Sequence, residues 1–264
     1  MNAKVLLLVF SLLIFSGEKI YSQFGFSHEV GVIVGPVAFY SDFGQRNDFE
    51  TNAGNTGIGV GIIHYLNFAY RADCNCYTRD KYFNDHFKVR TELDYHKTSL
   101  EHYGESVEPD KTSLFADQLR ATTGSSEVIE LGAQLEFYPF SIRDFMAGSY
   151  KIAPFLSFGI HYVNFNPEIK SDIFPPLDTH PKYINSFQQD SGSTTAFVGS
   201  FGFRFKLTQL SDLMLDSRWH YYNSDWVDGL NPSERNNNGA VPVPENKANE
   251  WIYWLNIGYV YYLD

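Results

Sequence analysis

Long hydrophobic runs are almost missing from this chain. Beyond a short stretch near its start, no segment approaches the roughly 18 continuous apolar residues that a membrane-spanning helix needs, so helical anchoring is excluded. Cysteine is scarce too, with 2 in 264 residues, too few for a disulfide framework. Positive charge is in deficit: 20 Lys and Arg against 31 Asp and Glu leave a net charge of −11. Phosphate backbones would be repelled, which excludes nucleic acid as a partner. No internal repeat or low-complexity linker divides the chain.

What is present begins with an export signal. Lys4 precedes Val5 to Phe15, eleven residues that are apolar except Ser11. That is too short to span a bilayer and reads as a secretory signal peptide. The expected boundary follows Ser22, giving a signal over residues 1–22 and a mature chain over 23–264. Loss of Lys4, Lys19 and Glu18 leaves 18 basic and 30 acidic residues, a net charge of −12. No cysteine adjoins the boundary, which argues against a lipid anchor. Export without a helical anchor leaves the periplasm, the outer membrane or the medium.

Aromatic residues make up 17% of the chain, and they fall in alternating patterns. At the C-terminal end Trp251, Tyr253, Leu255, Ile257, Tyr259, Tyr261 and Leu263 share one strand face, with aromatics at both ends. The opposite face, Ile252 to Asp264, is smaller and more mixed. Lipid as the solvent for the first face accounts for this pattern. Seven further segments repeat the alternation, at about Ser27–Tyr40, Thr56–Leu66, Phe87–His96, Ile129–Phe137, Ile152–Phe165, Phe197–Lys206 and Leu213–Tyr221. Spanning strands need roughly 9–11 residues, and an even number closes a barrel. The expected fold is all-β: an eight-stranded antiparallel transmembrane barrel of the outer-membrane type. Long polar links over 41–55, 97–126, 166–193 and 223–249 are expected on the outer side. Those over 67–85, 139–150 and 208–212 are expected on the periplasmic side with both termini.

The inward faces carry Lys88, Arg90, Glu92, Asp94, Glu130, Glu136, Arg204, Asp216, Arg218 and His220. A catalytic cleft or transport path is one reading. A barrel of eight strands, however, is only wide enough for side chains to fill it. Mixed signs are therefore expected to pair in a buried network, with Arg90 and Arg218 as hubs because a guanidinium can bridge two carboxylates. A conducting pore is not expected. The eight histidines join no nucleophile, since Ser217 points away from His220, so no catalytic residue is assigned. Asp172, Asp178 and Asp190 lack the spacing of a calcium loop and read as solvated. Cys74 and Cys76, flanked by His64 and His86, are too closely spaced for a usual metal site, so no metal and no cofactor are expected. The 67–85 link is longer than a hairpin turn requires. Its Arg71, Asp73, Cys74, Cys76, Tyr77, Arg79 and Tyr82 form a mix of arginine and tyrosine favoured at interfaces, with a plug beneath the barrel as the alternative.

Three stretches carry a family resemblance. Ser27-His28-Glu29-Val30-Gly31 through Gly35 with Tyr40-Ser41-Asp42, then Asn55-Thr56-Gly57-Ile58-Gly59-Val60-Gly61 leading to Asn67-Phe68, make up the first two. The third is Ala153-Pro154-Phe155-Leu156-Ser157-Phe158-Gly159-Ile160, running to Asn164-Phe165-Asn166-Pro167. Together they resemble PorG-like outer-membrane barrels. Phe174-Pro175-Pro176-Leu177-Asp178 departs from the glycine-rich style of that family. The resemblance implies a non-enzymatic component associated with type IX secretion in Bacteroidota, in contact with outer-membrane lipid and periplasmic subunits of the secretion machinery. The alternative is a free-standing surface barrel whose long acidic loops bind an extracellular ligand.

Overall fold

A computed structural model describes residues 26–44, 48–68, 82–232 and 249–263. The proposed signal segment 1–22 lies outside them, as do Arg71, Asp73, Cys74, Cys76, Tyr77 and Arg79. Eight antiparallel strands close into a barrel in chain order: β1 (Ser27–Tyr40), β2 (Thr56–Asn67), β3 (Phe87–Glu101), β4 (Thr122–Phe137), β5 (Ile152–Ser171), β6 (Gly192–Thr208), β7 (Ser211–Tyr222) and β8 (Trp251–Tyr262). Closure leaves no free sheet edge. The β1–β8 seam pairs Glu29–Val34 with Ile257–Tyr262 and Val37–Tyr40 with Trp251–Trp254. Gly35 and Pro36 stay in register with β2 but drop out of the pairing with β8.

Period-two alternation sorts the side chains as expected. Val32, Val34, Ile58, Val60, Ile62, Leu93, Leu131, Leu156, Phe158, Phe201, Leu215 and Ile257 point outward and are exposed. Such a belt would be unstable in water, where contiguous apolar surface is rarely left open. On β5 it runs from Ile152 to Tyr162. Ten steps of ~3.3 Å, tilted by ~40°, give a height of ~25 Å, which matches the lipid-facing band of outer-membrane barrels. Aromatic pairs mark its rims: Tyr40 stacks on Trp251 at 3.9 Å and Trp219 lies beside Tyr253 at 5.1 Å at one, and Phe87 lies beside Phe137 at 5.2 Å at the other.

Two expectations need correction. The links expected over 97–126 and 166–193 are shorter, because β3 runs on to Glu101, β4 starts at Thr122, β5 reaches Ser171 and β6 starts at Gly192. Above the belt the outward face of these strands meets water, so outward apolar residues stop while the backbone ladder continues and Leu100, Val128 and Ile169 stay buried inward. The outward Lys97–Glu127 ion pair, 2.7 Å and exposed, marks that exit. The 139–150 link is also more than a turn. Ser141 caps a short helix, Ile142–Met146, accepting from the Asp144 amide at 3.2 Å. Its Ile142 and Phe145 are buried and close the end of the barrel that carries the termini.

The other end is closed by the long links. Helix Leu114–Arg120, capped by Ser113, buries Ala116, Gln118 and Leu119. Phe43, Leu100, Leu177, Tyr183, Val227 and Leu230 join the same core. Gln118 donates to the Pro175 carbonyl at 2.9 Å, Ser126 Oγ to that of Val227 at 2.5 Å, and the Asp42 amide to Asp228 at 2.6 Å. All four links thus interlock as a cap. Asp172, Asp178 and Asp190 remain exposed on it.

Candidate functional site: the filled barrel interior

Inward side chains from all eight strands form three layers. Nearest the termini, Glu29 of β1 binds Lys88 and Arg204, each at 2.6 Å. Arg204 also reaches Asp212 at 2.9 Å, and the Tyr262 hydroxyl donates to Asp212 at 2.5 Å. Glu136 accepts from Tyr138 at 2.7 Å and from Tyr65 at 3.1 Å.

The middle layer is built on two guanidiniums. Arg90 reaches Glu136 at 2.7 Å, Asp216 at 3.2 Å and Glu92 at 3.3 Å. Arg218 reaches Asp216 at 2.6 Å, Glu92 at 3.0 Å and Asp94 at 3.5 Å. Gln134 donates to Glu92. Small residues on β2 make room for these groups: a Cβ on Gly59 would stand 2.7 Å from the Trp254 indole, the largest fully buried side chain.

The third layer surrounds Glu130. His161 Nδ1 lies 2.7 Å and His220 Nδ1 2.8 Å from Oε2, while His96 Nε2 at 3.2 Å and the Tyr222 hydroxyl at 2.8 Å lie on Oε1. Glu130, His161 and His220 offer ligand atoms within 4.8 Å of one another, and so do Glu92, Asp94 and His161.

All ten inward charges named from the sequence are buried: Lys88, Arg90, Glu92, Asp94, Glu130, Glu136, Arg204, Asp216, Arg218 and His220. The structure brings them into one connected set. Sequence reasoning left out Glu29, His96, His161 and Asp212, although each has the inward parity of its strand. Arg204 and Glu130 are hubs of equal rank to Arg90 and Arg218. Ser217 is on the outer face, 3.0 Å from the Tyr253 hydroxyl, and shares no bond with His220. His64 lies beside His28 at 3.0 Å, and His86 donates to the Tyr138 carbonyl at 2.6 Å, so the two do not share a site. Tyr82 is exposed and stacks on His86 at 4.0 Å.

Outside the belt, desolvation shifts three groups of the cap. Burial pushes the Asp228 carboxyl up to about 7 against two backbone amides that favour its charged form. Burial, with Asp228 and Asp42 nearby, holds Glu250 well above the usual carboxylate range. His102 is lowered to about 4 by burial, against its bond to the Phe43 carbonyl.

Comparison with known proteins finds structural likenesses alone. No protein-family model matches the chain, and no curated protein matches its sequence. Among solved structures, Neisserial surface protein A (NspA) aligns over 90% of this chain and 99% of its own at 12% identity, with a TM-score of 0.46. A major outer membrane protein from Thermus thermophilus aligns over 89% and 99% at 12% identity, with a TM-score of 0.43. OprG from Pseudomonas aeruginosa aligns over 89% and 94% at 11% identity, with a TM-score of 0.37. Likeness at this level carries no argument.

Proposed function

We propose that this protein is a non-enzymatic outer-membrane barrel that works through its ends rather than through a channel. The observation that carries this reading is the closed interior. An apolar belt of membrane height surrounds ion pairs that fill the lumen, with the Ile142–Met146 helix at one end and the interlocked cap at the other. A barrel so filled offers surfaces, and lipid is its first partner. Following the PorG-like resemblance, we assign it to the neighbourhood of type IX secretion, with periplasmic subunits of that machinery as partners. The contact region is the 67–85 link and its support. In that support the Arg143 amide donates to Asp85 at 3.2 Å and the Tyr138 amide to the His86 carbonyl at 2.7 Å, so the last turn of the link rests on the 138–146 segment.

A second reading keeps one observation of its own. The cap leaves Phe174 92% exposed, with Leu114 and Ile184 also open, which suits a free-standing surface barrel that binds outside the cell. Shortening 72–83 and removing 233–248 separate the two. Under the first reading the former abolishes co-purification of periplasmic partners and export of cargo while leaving the barrel assembled, and the latter changes neither. The reverse outcome favours surface binding. The second deletion stops short of Val227, Asp228, Leu230 and Glu250 because their burial holds the cap.

A further inference from the structure

Glu130 differs from the other carboxylates in the strands' interior. Glu29, Glu92, Asp94, Glu136, Asp212 and Asp216 each have an arginine or lysine within 3.5 Å. Among the described residues Glu130 has neither; three imidazoles and a phenol hold it instead. A carboxylate this deeply desolvated requires compensating positive charge. Histidine nitrogens and one carboxylate oxygen, converging away from water, are also the donors that zinc and its neighbours select. We propose that Glu130, His161 and His220 form an internal site for a divalent cation of the zinc class.

The geometry supports this in three ways. His161 Nδ1 and His220 Nδ1 approach the same oxygen, Glu130 Oε2, at 2.7 and 2.8 Å, so a cation there replaces the shared protons. Behind the site, His161 Nε2 lies 2.8 Å from Glu92 Oε1, and a carboxylate in that position fixes the tautomer of a metal-binding imidazole. Gly132 seats the ring, since a Cβ there would overlap His161. The neighbouring trio of Glu92, Asp94 and His161 is a poorer site: Arg90 and Arg218 already hold its carboxylates and oppose a cation. Full burial couples loading to folding, so the ion enters before the barrel closes. Such a site would exist whichever partner the barrel ends engage.

The test uses the untagged full chain carrying Cys74→Ser and Cys76→Ser, refolded from denaturant into detergent micelles with Zn2+ and passed over chelating resin. Elemental analysis should find one zinc retained per folded chain. Co2+ in its place should give visible ligand-field bands without thiolate charge transfer. Glu130→Gln, and separately His161→Gln with His220→Gln, should lose the zinc while keeping the gel shift of the folded barrel. Absence of zinc from the folded chain, or its full retention in folded variants, overturns the proposal. Should the variants fail to fold, the Co2+ spectrum of the histidine-intact chain decides: no ligand-field bands means no site.

Discussion

Ile257 offers the sharpest test of which face meets lipid. It is 53% exposed and lies beside Val34 of β1 and Leu215 of β7, both outward and exposed. Along β8 it stands four residues from Tyr253 and four from Tyr261, the aromatic rims. Four steps of ~3.4 Å at a tilt of ~40° place it ~10 Å from each rim, near the midplane. Ile257→Arg should therefore cost about 2–4 kcal/mol, while Leu263→Arg at the strand end should cost about 0–1 kcal/mol. Asn256, one residue away, points inward, and neither side-chain polar atom has a hydrogen-bond partner. Truncating it removes an unsatisfied amide, so Asn256→Ala should be neutral within ~1 kcal/mol. Urea titration of the barrel in lipid vesicles, followed by gel shift and tryptophan fluorescence, measures all three. Equal costs for Ile257→Arg and Leu263→Arg would refute the depth argument, and a larger cost for Asn256→Ala would refute the assignment of faces.

Three other outcomes are expected. Arg218→Met strands Glu92, Asp94 and Asp216 without one of their cations and should cost about 3–5 kcal/mol in the same titration, whereas Lys97→Ala, at an exposed pair, should leave the midpoint unchanged. Asp228 binds its proton more tightly folded than unfolded, so its own contribution to cap stability should be complete below its ordinary value of 3.8 and be lost as pH rises to about 7, whereas the contribution of neutral His102 runs the other way and is lost as pH falls from 6.5 to about 4. Protection factors of residues 223–232, measured against the intrinsic exchange rate at each pH, should carry a fall over the Asp228 window that Asp228→Asn abolishes. In planar bilayers the intact barrel should show no steady conductance, because the three ionic layers leave no continuous water path.

The barrel itself was legible because one face of each strand meets a uniform solvent, which imposes a strict period of two on Val32, Val34, Leu131, Phe158 and Ile257. Strand ends were not legible where that constraint stops: Ser125, Glu127, Asn166 and Lys170 continue the ladder with nothing apolar on the outward face to signal it. Parity identified ten of the inward charges, yet Glu29, His96, His161 and Asp212, which share it, were left out of the network because parity does not say which inward groups meet. The grouping of Glu130 with His161 and His220 depends on the adjacent strands β4 and β5 meeting β7 across the lumen, a relation that linear spacing does not encode. The helix at Ile142 and the cap core were hidden for a similar reason, since Phe43, Leu119, Leu177 and Val227 are scattered over four links and meet only after closure.

The interrupted seam has a consequence for how the barrel is completed. Until β1 meets β8, the chain presents two open edges, and either could be taken by a strand from another copy. Pro36 has no amide hydrogen to offer, so the β1 edge is a poor template for a stranger. A native partner must bridge the gap with two separate blocks in a single register, Glu29–Val34 and Val37–Tyr40. A one-residue slip would turn Ile257 and Tyr259 into the ionic lumen and Trp254 out to lipid. The proline thus gives up a little ladder bonding and makes the final closure selective for the chain's own last strand.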